Sequence, residues 1–486
     1  MPPLLLLALS MALVIGLIVV LRLHAFVALL AGAAFVGLFA PTIALTQMPT
    51  AVATEFGVIC GRIGIIIALA AVIGLALQQS GAARRISEAF LALTGRSRSD
   101  LSLWASSYVL SVPVFFDTVF YLLAPIARSL SRLHAAAAGT PAVVGAGTAA
   151  DPGPPTAAAA PVAAPAEFAT TSRHMMAVMA GGAATHVFVP PTPGPLAAAT
   201  ALGVDLGLVV VLGLVVAVPA SLAGVAYARW ISRRAPADAP DPTDAPPAAG
   251  IEAIEPPGLR PLGLTLSLTP IVLPVILISG RTISTALEAQ GPTASAFQLL
   301  GDPNVALFLS ATIAVWLLRR ATGWDLRALG TLTETALASA GTIILITAAG
   351  GAYGAMLAKA DIGSTLVQLG TSTQLPILWL GFFVAALLKI AQGSSTVAII
   401  TTASLLHAAY QADTAGVLPH PAYAVLAIGG GSLVVSWMND SGFWIVGRLG
   451  GFTERQTLRY WTVTAAAVGI TGFVVTLALS WIVPLR

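Results

Sequence analysis

Long apolar stretches separated by short polar loops dominate the chain, and they lie at about 3–21, 25–45, 63–78, 203–228, 264–280, 303–318, 375–391 and 460–484. An α-helix needs roughly 20 apolar residues to cross the ~30 Å hydrocarbon core of a bilayer. Apolar residues are continuous in these stretches, whereas the strands of a membrane β-barrel alternate with a period of two. The pattern predicts an all-α polytopic membrane protein.

A second group of apolar regions is interrupted by Gly, Pro, Ser, Thr and Asp, at about 101–133, 174–200, 330–358, 392–411 and 419–447. Non-helical backbone is tolerated at membrane depth only where protein or a water-filled cavity surrounds it. These regions therefore predict discontinuous helices and re-entrant hairpins. Both groups together predict about 10–14 membrane segments.

The two halves of the chain show a weak internal repeat. The segment GLALQQSGAARRI (74–86) matches GAMLAKADIGSTL (354–366), which defines the first offset of the repeat. Further on, PTPG (191–194) matches NDSG (439–442) at a smaller second offset, as expected if the first repeat carries an insertion. Two repeats with broken apolar segments are the plan of many secondary transporters, which hold substrate at the repeat interface near mid-membrane.

The repeat and two Pro/Ala-rich stretches predict the domain organisation. The first repeat occupies 1–134 and 173–232, and a disordered Ala/Pro-rich insertion at 135–172 divides it. A cytoplasmic linker at 233–261 precedes the second repeat, 262–486.

Composition supports the membrane assignment and excludes several functions. Of 486 residues, 57% are hydrophobic and only 9% are charged, whereas a soluble domain carries about 25% charged residues. Nucleic-acid binding is not indicated, because the sequence has no basic face with interleaved aromatic residues. The single cysteine, Cys60, excludes internal disulfides and multi-cysteine metal sites. Arginines that follow the first and third spans place these loops in the cytoplasm, which predicts a multi-pass protein of the inner (plasma) membrane.

Because charges are few, an ionisable residue within an apolar region needs a reason. Asp117 lies in the aromatic run SVPVFFDTVFYLLAP, where it is a candidate proton carrier or the structural partner of an arginine. His186 lies in THVFVPPTPGPLAAAT, whose prolines forbid a regular helix. It could relay a proton or serve as a hydrogen-bonded structural residue. Thr185 and Thr192 add hydroxyl groups to this segment.

A polar turn at Gly393, Ser394, Ser395 and Thr396 lies between two apolar arms, as expected at the tip of a hairpin. Its N–H groups, at the start of a following helix, could hold a carboxylate. Lys389 lies one turn earlier, where it could offset the charge of an anionic substrate or extend its ammonium group to the interface.

Asn439, Asp440, Ser441 and Gly442 place an amide and an acid inside an apolar stretch flanked by tryptophans. The burial cost predicts a functional carboxylate at Asp440, and the alternative is an ion pair with a distant arginine.

These segments resemble the gluconate permease family of the ion transporter superfamily. The resemblance rests on THVFVPPTPGPLAAAT (185–200), AQGSSTVAIIT (391–401) and SWMNDSGFW (436–444), and it extends over nearly all of the chain outside the two linkers. It implies proton-coupled symport of gluconate or a related sugar acid into the cell. It also implies two inverted repeats with hairpins, a transport domain that moves against a scaffold as an elevator, and a homodimer.

The residues and the resemblance together predict which side chains function. The predicted substrate-binding residues are Thr185, Pro191, Thr192, Gly194, Lys389, Gly393, Ser394, Ser395, Thr396, Asn439 and Ser441. The predicted proton-coupling residues are Asp117, His186 and Asp440. The expected partners are a small anionic carboxylate, protons and the lipid bilayer, with no metal or other cofactor.

Several positions depart from the family pattern and keep other substrates open. Lys389 stands where arginine is usual, Asp117 where glutamate is usual, Thr192 where histidine is usual and Ser441 where proline is usual. Alternatives are symport of another small hydroxy acid or an amino acid, such as glycerate or D-serine, and coupling to sodium. A passive anion channel is a further alternative. A membrane-embedded enzyme is disfavoured because no metal-binding spacing such as HExxH occurs.

Overall fold

The computed structural model describes residues 2–112, 116–137, 165–234, 259–360, 376–413, 416–438 and 440–485. Throughout these ranges the regular structure is helical, with no strand. Six of the described helices are long and apolar enough to cross a bilayer. The prediction of an all-α polytopic protein is confirmed.

Nine helices of the described ranges belong to the first half of the chain. They are α1 (Pro3–Val19), α2 (Ala25–Phe39), α3 (Met48–Gln79), α4 (Ala82–Thr94), α5 (Ser99–Leu110), α6 (Phe116–Ala137), α7 (Pro165–Phe188), α8 (Pro193–Ala201) and α9 (Leu206–Ser232).

Nine more described helices form the second half. They are α10 (Leu264–Ala286), α11 (Pro292–Leu300), α12 (Pro303–Thr322), α13 (Leu326–Lys359), α14 (Ile377–Gln392), α15 (Ser395–Ala412), α16 (Pro421–Gly431), α17 (Ser441–Gly450) and α18 (Glu454–Ile482). Helix α18 contains a π-helical turn at Leu458–Thr462.

The helices of the two halves recur at the two offsets of the sequence repeat. Helix α3 ends at Gln79 and α13 ends at Lys359, positions that correspond at the first offset. Helix α8 begins at Pro193 and α17 begins at Ser441, positions that correspond at the second offset. At the first offset α2 corresponds to α12 and α3 corresponds to α13. The contacts follow this correspondence, because α2 packs on α13 and α12 packs on α3.

Helices α3 and α13 form an antiparallel pair. Near the start of α3, Glu55 forms an ion pair of 3.3 Å with Lys359 at the end of α13. One turn further along α3, Ile59 contacts Gly351, which lies earlier in α13. The pairing therefore runs in opposite directions along two helices that occupy equivalent places in the two halves.

The predicted interruption at 330–358 is wrong, because α13 is one continuous helix of 34 residues. Its glycines are sites of close packing. A methyl group at Gly350 would lie 2.2 Å from Ile400 Cγ2, and one at Gly354 would lie 2.7 Å from the Cα atom of Ser404. Glycine costs about 1 kcal/mol in a helix relative to alanine, and here this cost is offset by the contact with α15.

Two other interrupted regions are discontinuous helices, as predicted. Helix α7 ends at Phe188 and the chain becomes helical again at Pro193. Helix α16 ends at Gly431 and the chain becomes helical again at Ser441. The intervening described residues form the first break (189–192) and the second break (432–438 and 440).

Two pairs of consecutive helices form hairpins next to these breaks. In the second hairpin only Gly393 and Ser394 separate α14 from α15, and the two helices pack on each other. In the first hairpin α5 packs on α6. His174 of α7 joins the open end of this pair, with its Nε2 2.8 Å from Ser99 Oγ and its Nδ1 2.8 Å from Ser131 Oγ.

The predicted insertion at 135–172 is shorter than expected at both ends. Helix α6 continues to Ala137, and α7 already begins at Pro165. Phe168 explains the early start of α7, because its buried ring packs against Phe452 at a centroid distance of 5.9 Å. The remainder of the insertion, 138–164, lies outside the described residues, as does 235–258 of the predicted linker.

Candidate functional site

The tip of the second hairpin is a two-residue turn. Gly393 has a φ of 84°, a left-handed conformation that favours glycine. Ser394 then caps α15, because its side chain accepts a hydrogen bond of 3.3 Å from the N–H of Val397. The Ser395 hydroxyl donates to the carbonyl of Ser432 at 2.9 Å. This bond ties the hairpin tip to the second break.

Asp440 ends the second break and begins α17. One of its carboxylate oxygens, Oδ1, accepts a hydrogen bond of 3.0 Å from the N–H of Gly442, as an N-cap residue does. A negative charge is favourable at this position because of the helix dipole. The other oxygen, Oδ2, is available for a second partner.

That partner is Lys389 on the second hairpin. Its Nζ lies 2.9 Å from Asp440 Oδ2 and donates a hydrogen bond of 2.5 Å to the carbonyl of Gly393. The two side chains are only 2% and 10% exposed. The ammonium group therefore does not extend to an interface, and Asp440 is paired with a lysine, not with an arginine. Each charge keeps the other in a place where neither would be stable alone.

His186 lies beside this ion pair. It is the third residue from the end of α7, and its ring is close enough to Lys389 and Asp440 to interact with both charges. Its Nδ1 atom is buried and has no hydrogen-bond partner in the described part of the chain. The structure thus brings together two of the predicted proton-coupling residues, His186 and Asp440, with Lys389 between the hairpin tip and the breaks.

Two threonine hydroxyl groups in and just before the first break donate hydrogen bonds to nearby backbone carbonyls. The Thr185 hydroxyl donates to the carbonyl of Gly181 at 3.1 Å, and the Thr192 hydroxyl donates to the carbonyl of Val189 at 2.5 Å. Both threonines are buried. Gly194 allows α8 to approach α15, because a methyl group there would lie 2.8 Å from Ile399 Cδ1. The Thr192 hydroxyl thus stabilises the break itself, whereas the Thr185 hydroxyl bonds within the last turns of α7.

The remaining predicted residues divide into two groups. Pro191 is buried in the first break, Thr396 is partly exposed in the first turn of α15, and Ser441 is exposed at the start of α17. The side chain of Asp117 and the whole of Asn439 lie outside the described residues. Within the described ranges no three His, Cys, Asp or Glu side chains converge as they would around a metal ion.

Buried polar side chains near the site that were not predicted from the sequence include Ser111 and Trp461. Among the described residues, Ser111 Oγ and Trp461 Nε1 have no hydrogen-bond partner. A tryptophan in an apolar helix indicates packing or an interfacial anchor, and serine is common where membrane helices meet. Trp461 lies in the π-helical turn of α18, a feature that is frequent at functional sites but has no signature in this sequence.

Discontinuous helices that end inside a bundle of membrane helices are typical of membrane transporters. The YdaH transporter of Alcanivorax borkumensis has a similar fold, with a TM-score of 0.54, 13% sequence identity and 90% of both chains covered.

The sequence identifies the family. A profile of the GntP family of permeases matches residues 2–166 and 160–482. The inner membrane permease YgbN of Escherichia coli is 32% identical over 95% of this chain and 94% of its own length. The low-affinity gluconate transporter of the same species is 30% identical over 96% and 95%, and its L-idonate transporter is 30% identical over 98% and 99%. The chain belongs to the GntP permease family.

Family membership confirms three predictions. The chain is a transporter and not an enzyme, because its relatives are permeases. It is a multi-pass protein of the inner membrane. The resemblance found in the three motifs is also confirmed.

Proposed function

We propose that the protein is a symporter that couples the uptake of gluconate or a related sugar acid to the entry of protons. One observation carries the proposal: the buried Lys389–Asp440 pair, which joins the tip of the second hairpin to the second break. The relatives named for gluconate and L-idonate transport support the choice of substrate.

The pair links anion binding to protonation through its net charge. An ammonium and a carboxylate sum to zero, so an anionic substrate that entered alone would leave one uncompensated negative charge. Such a charge is strongly unfavourable in a site shielded from water. A proton on Asp440 removes this excess, because Lys389 and the substrate carboxylate then form the neutral pair.

The contacts in the site give each residue a place in this exchange. Lys389 Nζ now donates to Asp440 Oδ2 at 2.9 Å. When Asp440 is protonated, the substrate carboxylate takes its place at Nζ. Asp440 keeps its bond from the N–H of Gly442, because a carboxylic acid still accepts at its carbonyl oxygen. His186, which lies beside both charges, passes the proton to and from Asp440.

The architecture supports movement of this site relative to a scaffold. The antiparallel packing of α3 on α13 is the relation expected of inverted repeats. We infer that this pair belongs to the scaffold, and that the hairpins and broken helices form the moving domain. The scaffold and the moving domain meet where two glycines of α13, Gly350 and Gly354, lie against α15 of the second hairpin. There the Ser404 hydroxyl donates to the carbonyl of Gly350 at 2.7 Å.

Transport in proteoliposomes tests the proposal. Purified protein should concentrate labelled gluconate when an inward proton gradient is imposed, and the accumulation should collapse with a protonophore. An inward sodium gradient at equal pH should drive no accumulation. Accumulation driven by sodium, or flux that never exceeds equilibrium, would show that the coupling is assigned wrongly. Stronger competition by glycerate or D-serine than by gluconate would assign the substrate elsewhere.

Asp440→Asn separates binding from coupling. Asparagine also caps helices well, so α17 should remain formed. The variant should exchange labelled for unlabelled gluconate across the membrane but should no longer accumulate it against a gradient. Proton-driven accumulation by Asp440→Asn at the wild-type level would exclude Asp440 as the coupling residue.

A further inference from the structure

A set of residues from α7, the first hairpin, α18 and the start of α17, here called the ring, lies next to the Lys389–Asp440 pair. On one side, Gly182 of α7 faces the first hairpin: a methyl group there would lie 3.0 Å from Ser111 Oγ and 2.9 Å from Phe116 Cδ2. His186 follows Gly182 by one helical turn in α7 and therefore lies on the same face of the helix.

The other side of the ring passes through Trp461. Its indole packs against the ring of Phe116 at a centroid distance of 5.3 Å. It also reaches the start of α17, because a methyl group at Gly442 would lie 3.0 Å from Trp461 Cζ2 and 3.4 Å from Asp440 Oδ1. Contacts thus lead from Phe116 through Trp461 to the start of α17, where Asp440 lies, and the charges of Asp440 and Lys389 act on His186.

Three polar atoms of this ring have no hydrogen-bond partner among the residues that the structure describes: Ser111 Oγ, His186 Nδ1 and Trp461 Nε1. Ser111 is fully buried and Trp461 is only 3% exposed. Buried polar groups nearly always have a partner in the protein, in water or in a ligand. Three such atoms on one ring indicate that a polar ligand belongs there.

The chemistry of these atoms specifies the ligand. An indole N–H can only donate, a serine hydroxyl can donate and accept, and one imidazole nitrogen does either according to its tautomer. A neutral ligand group that can both donate and accept a hydrogen bond is compatible with all three atoms. A chain of hydroxyl groups offers several such groups in succession. An extra carboxylate is not favoured, because Lys389, the cation that acts on His186 among the described residues, already faces the carboxylate of the substrate in the proposed complex.

We propose that Ser111, His186 and Trp461 bind the hydroxyl chain of the substrate, while Lys389 binds its carboxylate. This inference rests on the proposed transport of sugar acids and narrows it. The protein selects long polyhydroxy acids over short hydroxy acids, because a long chain can offer a separate hydroxyl group to each of the three atoms, whereas a short hydroxy acid has too few. Ser111 and Trp461 are then residues that determine specificity.

Trp461→Phe tests the assignment, since it removes the indole N–H and keeps an aromatic ring against Phe116. The measurements are the KM for labelled gluconate and the inhibition constant of D-glycerate, a short hydroxy acid, in proteoliposomes. The ratio of the glycerate constant to the gluconate KM should fall by about tenfold, as expected for one lost hydrogen bond. Ser111→Ala should lower the same ratio and provides a second reading if Trp461→Phe is unstable.

Trp104→Phe is the matched control. Trp104 Nε1 is also buried without a partner among the described residues, but Trp104 lies on α5 against Gly181, outside the ring. Trp104→Phe should therefore leave the ratio of the glycerate constant to the gluconate KM unchanged. Equal ratios in wild type, Trp461→Phe and Ser111→Ala would overturn the assignment, as would an equal fall in Trp104→Phe. Absence of all sugar-acid uptake by the wild type would instead refute the proposed function.

Discussion

Removal of one partner from the Lys389–Asp440 pair gives the sharpest test of how the site is held together. Lys389→Met keeps an unbranched side chain of similar length but leaves Asp440 without a cation in a buried place. Asp440→Asn keeps the cap of α17 and leaves Lys389 without an anion. The double variant removes both charges.

The distance between the charges sets the expected magnitude. Two unit charges 2.9 Å apart attract each other by about 6 kcal/mol at an effective dielectric constant of about 20. Part of this attraction is offset by the cost of removing both groups from water. Loss of a single partner from a buried pair therefore should lower the free energy of unfolding by about 3–5 kcal/mol.

Thermal unfolding in detergent, together with gluconate binding, measures both consequences. Each single variant should unfold at a clearly lower temperature than the wild type. The double variant should be more stable than the sum of the two effects predicts, by a coupling energy of up to about 3 kcal/mol. It should nevertheless fail to bind gluconate, because the cation that receives the carboxylate is gone.

Two outcomes would refute this reasoning. Strictly additive effects on stability would mean that the two side chains do not interact, despite their geometry. Normal gluconate binding by the folded double variant would mean that Lys389 does not receive the carboxylate.

Two further predictions concern positions outside the pair, each with a matched control. Gly354→Ala should destabilise the protein by about 1–3 kcal/mol and slow uptake, because a methyl group would lie 2.7 Å from the backbone of α15. On the same helix Gly341→Ala should be neutral or stabilising in a thermal unfolding assay, since nothing lies within 4 Å. Asp100→Asn should lower stability by about 1.5–3 kcal/mol, because Asp100 is buried and accepts from Arg229 at 2.7 Å. Asp302→Asn, at an exposed ion pair, should change it by less than about 1 kcal/mol.

The breaks of the site can be predicted from the sequence, because the residues there have a known chemical effect on the backbone. The prolines between Phe188 and Pro193 remove backbone donors and forbid a helix. Gly393 and Ser394 are a helix stop and a helix start in succession. The same reasoning fails for α13, because a glycine that breaks a helix and one that receives a neighbouring helix look identical in one sequence.

The partners of the charged side chains cannot be predicted in this way. Lys389 and Asp440 are far apart in the chain and meet only because the second hairpin packs on the second break. Trp461 comes from a different helix again, and its role depends on a nitrogen atom without a partner. These partnerships depend on how the helices pack against one another. Sequence patterns indicate only the burial and the helix propensity of each segment taken alone.

Positions that correspond in the sequence repeat differ in charge between the two halves, and this difference matches the charge distribution of a sugar acid. Asp440 begins α17, whereas Thr192 stands in the same place before α8. Val109 corresponds to Lys389 at the first offset of the repeat, so the first half lacks both members of the ion pair. The first half instead contributes the unpartnered Ser111 Oγ and His186 Nδ1. A ligand with one carboxylate and a neutral hydroxyl chain is equally asymmetric, and therefore its charged end should face the second hairpin and its hydroxyl chain the first.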